Sequence, residues 1–288
     1  MTRLYTSGGA RLAFDDTGTG LPVIFLHPTP LDGDFWRPLV ADLPGVRSIV
    51  PDLRGHGSSE LGPDLPVGEF ARVPDAPAIT MARYAADVLA LLDHLSLPNA
   101  IFAGCSIGGY ILLELWRQAP QCVRGLAFIC SKPQADAEAN LVKRVATIAQ
   151  ARAGETAALF DGMAQSLVGV TARQRRPEIV SELRSRMTVT PDALVAVQAG
   201  LAVRPDSVRT VSGMAVPVLA VAGGEDAVVA PAEMESFRSA PGGCEFHLLP
   251  DAGHFAAYEQ SDKVAARMAP WLRSFRNKLA DRSSRGMF

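Results

Sequence analysis

The sequence has no excess of either charge, no closely paired cysteines and no long apolar run, and each lack removes a class of function. Lysine and arginine number 28 against 30 aspartate and glutamate, a formal net charge of −2. A balance so close to zero offers no electrostatic footprint for nucleic acid or an anionic membrane. Cysteine occurs only at 105, 122, 130 and 244, with no CxxC pair. Such spacing reads as reduced thiols, neither a disulfide frame nor a zinc site, which suits a cytoplasmic protein. The first residues, MTRLYTSGGARLAFDD, hold no apolar core of a secretory signal. No run approaches the roughly 18 apolar residues of a membrane span. These lacks point to a soluble cytoplasmic chain with neither a nucleic-acid nor a membrane partner, and they leave its oligomeric state unread.

What is present is enough for a large core. Of 288 residues, 48 % are hydrophobic and 20 % charged, which excludes disorder and fits one α/β domain carrying an insertion. Short apolar runs at 23–26, 48–50, 100–103, 126–129 and 218–221 carry no polar residue but Ser48, as in strands covered on both faces. Between them, 80–95 repeats apolar residues at helical spacing behind Thr80 as a cap, and 107–119 is helical until Pro120. Alternating strands and helices predict a doubly wound, mostly parallel α/β sheet. From Ser131 to Arg209 the strands stop, and amphipathic stretches follow at 138–152, 155–168, 173–187 and 191–203. This predicts a core domain of residues 1–131 and 210–288 with an all-helical cap, or lid, at 132–209. The irregular segment 60–79, with four prolines and two glycines, is expected on the surface or narrowing a pocket. The basic helical end, from Arg273, is expected to be a solvated face.

Gly104-Cys105-Ser106-Ile107-Gly108-Gly109 follows a predicted strand and opens a predicted helix, the context of a nucleophile elbow. Gly104 and Gly108 remove side chains that would strike the neighbouring strand and helix, and Ser106 is left at a helix N-terminus that favours negative charge. A serine hydroxyl needs a base. Among five histidines, His254 lies in a loop after the strand-like run 245–249, whereas His247 alternates within that run and His94 ends a surface helix. His56 sits in a glycine turn near the start of the chain. The acid that orients the base is Asp226, at the end of the turn Gly223-Gly224-Glu225-Asp226, with Glu225 expected to point elsewhere. Cys105, beside the serine, is expected to be a small buried residue.

The segments LHPTP, PDLRGHGSS, GCSIGG, AGGED and DAGHF together resemble the α/β-hydrolase superfamily along nearly the whole chain, and the general likeness is to the branch of serine esterases and lactonases with a small four-helix cap between the sixth and seventh strands. The resemblance implies an oxyanion hole built from the backbone N–H of Ile107 and that of Thr29. It also implies a structural role for Arg54. The sequence departs from the family at Pro28, where a glycine is usual. Neither Pro28 nor Pro30 has an N–H, so Thr29 is the only early donor of that loop.

The reading is a cofactor-free, metal-free serine hydrolase acting on a small carboxylic ester or lactone, with Ser106, His254 and Asp226 as the triad. His27, Trp36, Phe160, Met163, Leu167 and Met187 are the candidate substrate contacts, although His27 also reads as shaping its loop and the others as packing. Phe35 and Tyr110 read as packing. A mildly apolar pocket is expected to favour an uncharged or weakly polar acyl group. The rivals are carbon–carbon bond hydrolysis, a non-hydrolytic elimination or cyclisation suggested by the unusual HPTP loop and the proline-rich segment 60–79, and a ligand-binding receptor on the same fold.

Overall fold

The computed structural model describes residues 2–285, with side chains through residue 276, so the basic face expected from Arg273 onward lies largely outside the described residues. Eight strands form one sheet in the order β1-β2-β4-β3-β5-β6-β7-β8. They are β1 (Arg3–Ser7), β2 (Ala10–Thr17), β3 (Leu21–Leu26), β4 (Val46–Pro51), β5 (Ala100–Cys105), β6 (Val123–Ile129), β7 (Val218–Gly223) and β8 (Cys244–Leu249). From β4 to β8 every pairing is parallel, while β1 and β2 form an antiparallel hairpin on one side. Every residue of β5 and of β7 is buried, the burial pattern that unbroken apolar runs require. β1 buries only Tyr5 and Ser7, and β2 holds the short run Leu12-Ala13-Phe14 between charged residues, so no long apolar run marks the hairpin.

The helix Met81–His94 is capped by the Thr80 side chain, which accepts from the Arg83 N–H, and the helix Ile107–Gln118 follows β5 directly. Between β6 and β7 the chain leaves the sheet for the helices Glu138–Arg152, Thr156–Leu167, Val170–Arg175, Glu178–Ser185 and Pro191–Ala202. The third predicted stretch is therefore two helices. Pro177 disfavours helical backbone at Arg176, which sits at φ −137°, ψ 75° and divides them. Segment 60–79 lacks regular structure but is anchored. Arg72 pairs with Glu138, Arg152 with Asp75, and the Ile79 N–H donates to the Ala196 carbonyl at 3.0 Å. It is tied to the inserted helices by these contacts and lines no part of the cavity that holds Ser106.

Two buried polar clusters hold the loops after β3 and β4. Arg54 is fully buried and forks onto Asp87 at 2.8 and 2.7 Å, giving its remaining donors to the carbonyls of Ser7 and Leu61. A bidentate pair so completely sealed is costly to break, because without Arg54 the buried Asp87 keeps only the longer contact to Arg83 at 3.7 Å. Beside it, His27 accepts the Leu53 N–H at Nε2 (2.8 Å) and donates from Nδ1 to the Pro28 carbonyl (3.0 Å). His56 donates from Nδ1 to the Arg54 carbonyl and accepts the Thr29 hydroxyl at Nε2, both at 3.0 Å. The rings lie 5.2 Å apart.

Burial pushes the His27 imidazole down to about 4 and His56 down to about 3, the facing ring adding to the effect at His56. Both stay neutral in the folded chain, while the unfolded chain takes up protons from an ordinary value of 6.5. Below that pH the unfolded state binds more protons, so stability falls with acidification by about 1.4 kcal/mol per pH unit for each histidine. His56→Gln removes one of these protonations. Urea unfolding from pH 7 to 5 is expected to show the variant less stable at pH 7 and the gap to wild type narrowing by about 1.4 kcal/mol per unit below pH 6.5. Parallel curves would contradict the neutral, buried state of His56.

Candidate active site

The carboxyl ends of the parallel strands gather the expected residues at one edge of the sheet, where open α/β folds place their sites. Ser106 follows β5 at φ 53°, ψ −117°, outside the regions open to most L-residues. The surroundings over-determine that conformation. Its N–H donates to the Ile129 carbonyl at 3.1 Å, and its carbonyl accepts the Ser131 hydroxyl at 2.9 Å. A Cβ on Gly104 would come within 2.4 Å of the Gly108 carbonyl carbon, and one on Gly108 within 2.2 Å of the Leu26 oxygen. The turn therefore presses strand against helix as only glycine allows.

His254 and Asp226 meet across two loops. His254 Nδ1 lies 2.8 Å from Asp226 Oδ2, with the His254 side chain 3 % exposed and that of Asp226 fully buried. Asp226 Oδ1 accepts the N–H groups of Val228 and Val229 at 2.8 and 2.9 Å. Burial works to raise the Asp226 carboxyl, but the facing imidazole and these two donors hold it below the usual carboxylate range. It is ionised at neutral pH and fixes a proton on Nδ1, which leaves Nε2 as the basic atom. Ser106, His254 and Thr29 line one cavity of about 220 Å³. The N–H groups of Ile107 and Thr29 donate to no group among the described residues. The cavity is smaller than the roughly 300 Å³ at which drug-sized sites begin, so it suits a small ligand.

The histidine loop is held by a residue that sequence reasoning passed over. Glu259 accepts the N–H groups of Gly253 (2.8 Å), Phe255 (3.1 Å) and Gly169 (3.1 Å), joining the loop to the inserted helices. Burial raises its carboxyl above the usual range despite these three donors. Glu225 turns away from His254 and accepts the Thr171 N–H at 2.8 Å. The His254 N–H donates to the Leu167 carbonyl at 2.9 Å. Cys105 and Cys130 pack beneath this loop, their thiols 3.7 and 3.5 Å from the carbonyls of His254 and Gly253. Burial pushes the Cys105 thiol well up, and the Asp226 carboxylate adds to this, so it is no rival nucleophile.

Of the expected substrate contacts, Met163 and Leu167 line the cavity, while four others do not. Both ring nitrogens of His27 are engaged within its loop. Trp36 is sealed between Phe25 and Phe35, at centroid distances of 5.4 and 5.0 Å. Phe160 lies under the Arg184 guanidinium, and Met187 is buried in the main core. Tyr110, expected to pack, lines the cavity, as do Pro30, Leu194, Gln198, Leu201 and Val228. The lining is mildly apolar, as expected, but Lys143 and Arg144 also stand in the wall, which the expectation of an uncharged or weakly polar ligand did not include. In the sequence both fall in an amphipathic helix whose charged face reads as solvent-facing, and only the placement of that helix over the strand ends distinguishes the two.

A thermophilic esterase from Thermogutta terrifontis has a similar structure, with 30 % identity, a TM-score of 0.85, and coverage of 95 % of this chain and 98 % of that one. An enol-lactonase from Burkholderia xenovorans LB400 is similar in fold, with 22 % identity, a TM-score of 0.82, and coverage of 94 % and 100 %. A non-heme chloroperoxidase of Streptomyces lividans is 37 % identical over 115 residues, 38 % of this chain and 36 % of that one. The model of the alpha/beta hydrolase fold family matches residues 22–261, most of the chain and all of the elements that carry the site. The chain belongs to the α/β-hydrolase-fold family.

Proposed function

We propose that the protein is a serine hydrolase that cleaves a small carboxylic ester or lactone through an acyl-enzyme. The observation that carries this reading is the His254–Asp226 contact at 2.8 Å beside a serine held at positive φ in the same small cavity. His254 Nε2 takes the Ser106 hydroxyl proton as Oγ bonds to the substrate carbonyl carbon, and the carbonyl electron pair moves to oxygen. The oxyanion is received by the N–H groups of Ile107 and Thr29, each worth roughly 3 kcal/mol in the transition state. Collapse of the intermediate breaks the bond to the leaving oxygen, which takes the proton from His254. A water, deprotonated by the same nitrogen, then releases the acid and returns Ser106 to its starting state. In a lactone the leaving alcohol stays tethered to the product.

The non-hydrolytic rival rests on the HPTP loop, whose Pro28 and Pro30 have no N–H to donate, and on the proline-rich segment 60–79, which lines no part of the cavity. Thr29 nevertheless reaches the cavity with its N–H uncommitted, and the two buried histidines brace the loop around it. This arrangement favours hydrolysis. Product masses separate the two, since hydrolysis adds water and elimination does not. The helices between β6 and β7 act in this reading as the cap, supplying Met163, Leu167 and Leu194 to the ligand.

Intact-mass measurement after a fluorophosphonate probe is expected to show one adduct on wild type and none on Ser106→Ala, whose ester turnover falls by about 10⁴-fold or more. Asp226→Asn is expected to keep the fold and lose roughly 10³–10⁴-fold in kcat, because the wrong tautomer then faces the serine. Adduct formation on Ser106→Ala, or full turnover by it, would contradict the reading. Glu259→Gln puts an amide where three N–H donors converge. Its kcat is expected to fall by about 10- to 100-fold with KM little changed, while the probe still labels Ser106 slowly. A variant with wild-type kcat would show that Glu259 does not position the histidine loop.

A further inference from the structure

One wall of the cavity has donors and positive charge without matching acceptors. Lys143 and Arg144 are neighbours on the helix Glu138–Arg152, and Gln198 comes from the helix Pro191–Ala202. Asp136 is the counter-ion, and its carboxylate serves both Arg144 (3.0 Å) and Arg204 (2.7 Å). One carboxylate between two guanidiniums leaves one positive charge over. Arg204 also lies over the Tyr110 ring, 4.1 Å from its centroid, so this excess charge adjoins the cavity lining. The Lys143 ammonium pairs with no carboxylate among the described residues, and none of the residues lining the cavity is aspartate or glutamate. Arg144 Nη1 donates to Gln198 Oε1 at 2.8 Å, which fixes the amide with its NH₂ free. Arg144 Nη2 and Gln198 Nε2 have no acceptor among the described residues.

Two uncompensated positive charges in a cleft with apolar walls focus a field that draws in anions. Adjacent guanidinium and amide donors match the two oxygens of a planar carboxylate. We propose that the natural substrate is a short ester or lactone bearing a free carboxylate, bound by Lys143, Arg144 and Gln198, with Met163 and Leu167 along its carbon chain. The proposal rests on the serine-hydrolase reading for the reacting carbonyl, while the anion site stands on its own geometry.

Two series of substrates test it at low ionic strength. One is the monomethyl esters of four- to eight-carbon dicarboxylic acids, compared with their dimethyl esters. The other is acetate esters of short hydroxy acids, compared with acetates of the matching alcohols. In at least one series kcat/KM is expected to favour the charged member by about tenfold or more, and 0.5 M KCl is expected to shrink that preference. Lys143 is exposed, so its replacement does not threaten folding. Lys143→Gln is expected to lower the charged-to-neutral ratio about fivefold, and Lys143→Glu to lower it further. Equal or greater activity on the neutral members of both series, or a ratio that both variants leave unchanged, would overturn the proposal.

A second readout does not depend on turnover. Glutarate is expected to raise the melting temperature of wild type, glutaramide is not, and Lys143→Glu is expected to lose the glutarate effect. No glutarate shift in wild type would overturn the carboxylate site even if esters are hydrolysed. A shift that Lys143→Glu abolishes, in a protein that neither hydrolyses esters nor reacts with the fluorophosphonate, would uphold the carboxylate site and sink the hydrolase reading alone.

Discussion

A serine at φ 53° is held there against its own preference, and the rest of the site is arranged around the contacts that hold it. The elbow must fit between β3, β6 and the first turn of the following helix. Contacts at Gly104 and Gly108 leave no room for a side chain, and hydrogen bonds to Ile129 and Ser131 fix the serine backbone from the far side. The strain is therefore borne by the packed sheet and not by a loop free to relax. It places the Ser106 hydroxyl at a helix N-terminus, next to the uncommitted N–H of Ile107, where developing negative charge is favoured.

A fixed serine can serve as the proposed nucleophile only if its partners are fixed as well, and those come from loops. Glu259 ties the His254 loop to Gly169, Glu225 ties the Asp226 loop to Thr171, and His254 itself bonds to Leu167. All three connections end on residues 167–171, in and just after the helix whose residues Met163 and Leu167 line the cavity. The loops after β7 and β8 and the inserted helices thus share one set of hydrogen bonds. A shift of the inserted helices is carried directly to the proposed base and its acid.

The fold was legible where strands are buried on both faces, since such strands are apolar throughout, and where caps and prolines punctuate helices. The β1–β2 hairpin was not legible, because its apolar residues are few and lie among charged ones. Pro177 was visible, but whether a proline merely starts a helix or separates two depends on what each half packs against. Ser106, Asp226 and His254 were readable because a strained turn and two loop carboxyl–imidazole partners demand particular residue types in a particular order. Of the cavity wall, Met163 and Leu167 were readable and the charged part was not. Lys143 and Arg144 occupy a charged helical face, Trp36 and Phe160 look like pocket aromatics, and only tertiary placement decides that the first pair meets the cavity and the second pair meets the core. Glu259 carried no motif, since its work is to accept backbone N–H groups.

The most direct test of the central claim is the mass of the enzyme itself during turnover. An activated ester with a slowly hydrolysed acyl group, quenched in acid within the first turnover, is predicted to leave that acyl mass on the peptide containing Ser106. The adduct should disappear as the product acid is released. Consumption of the ester with the Ser106 peptide unmodified at every time point would contradict the covalent mechanism.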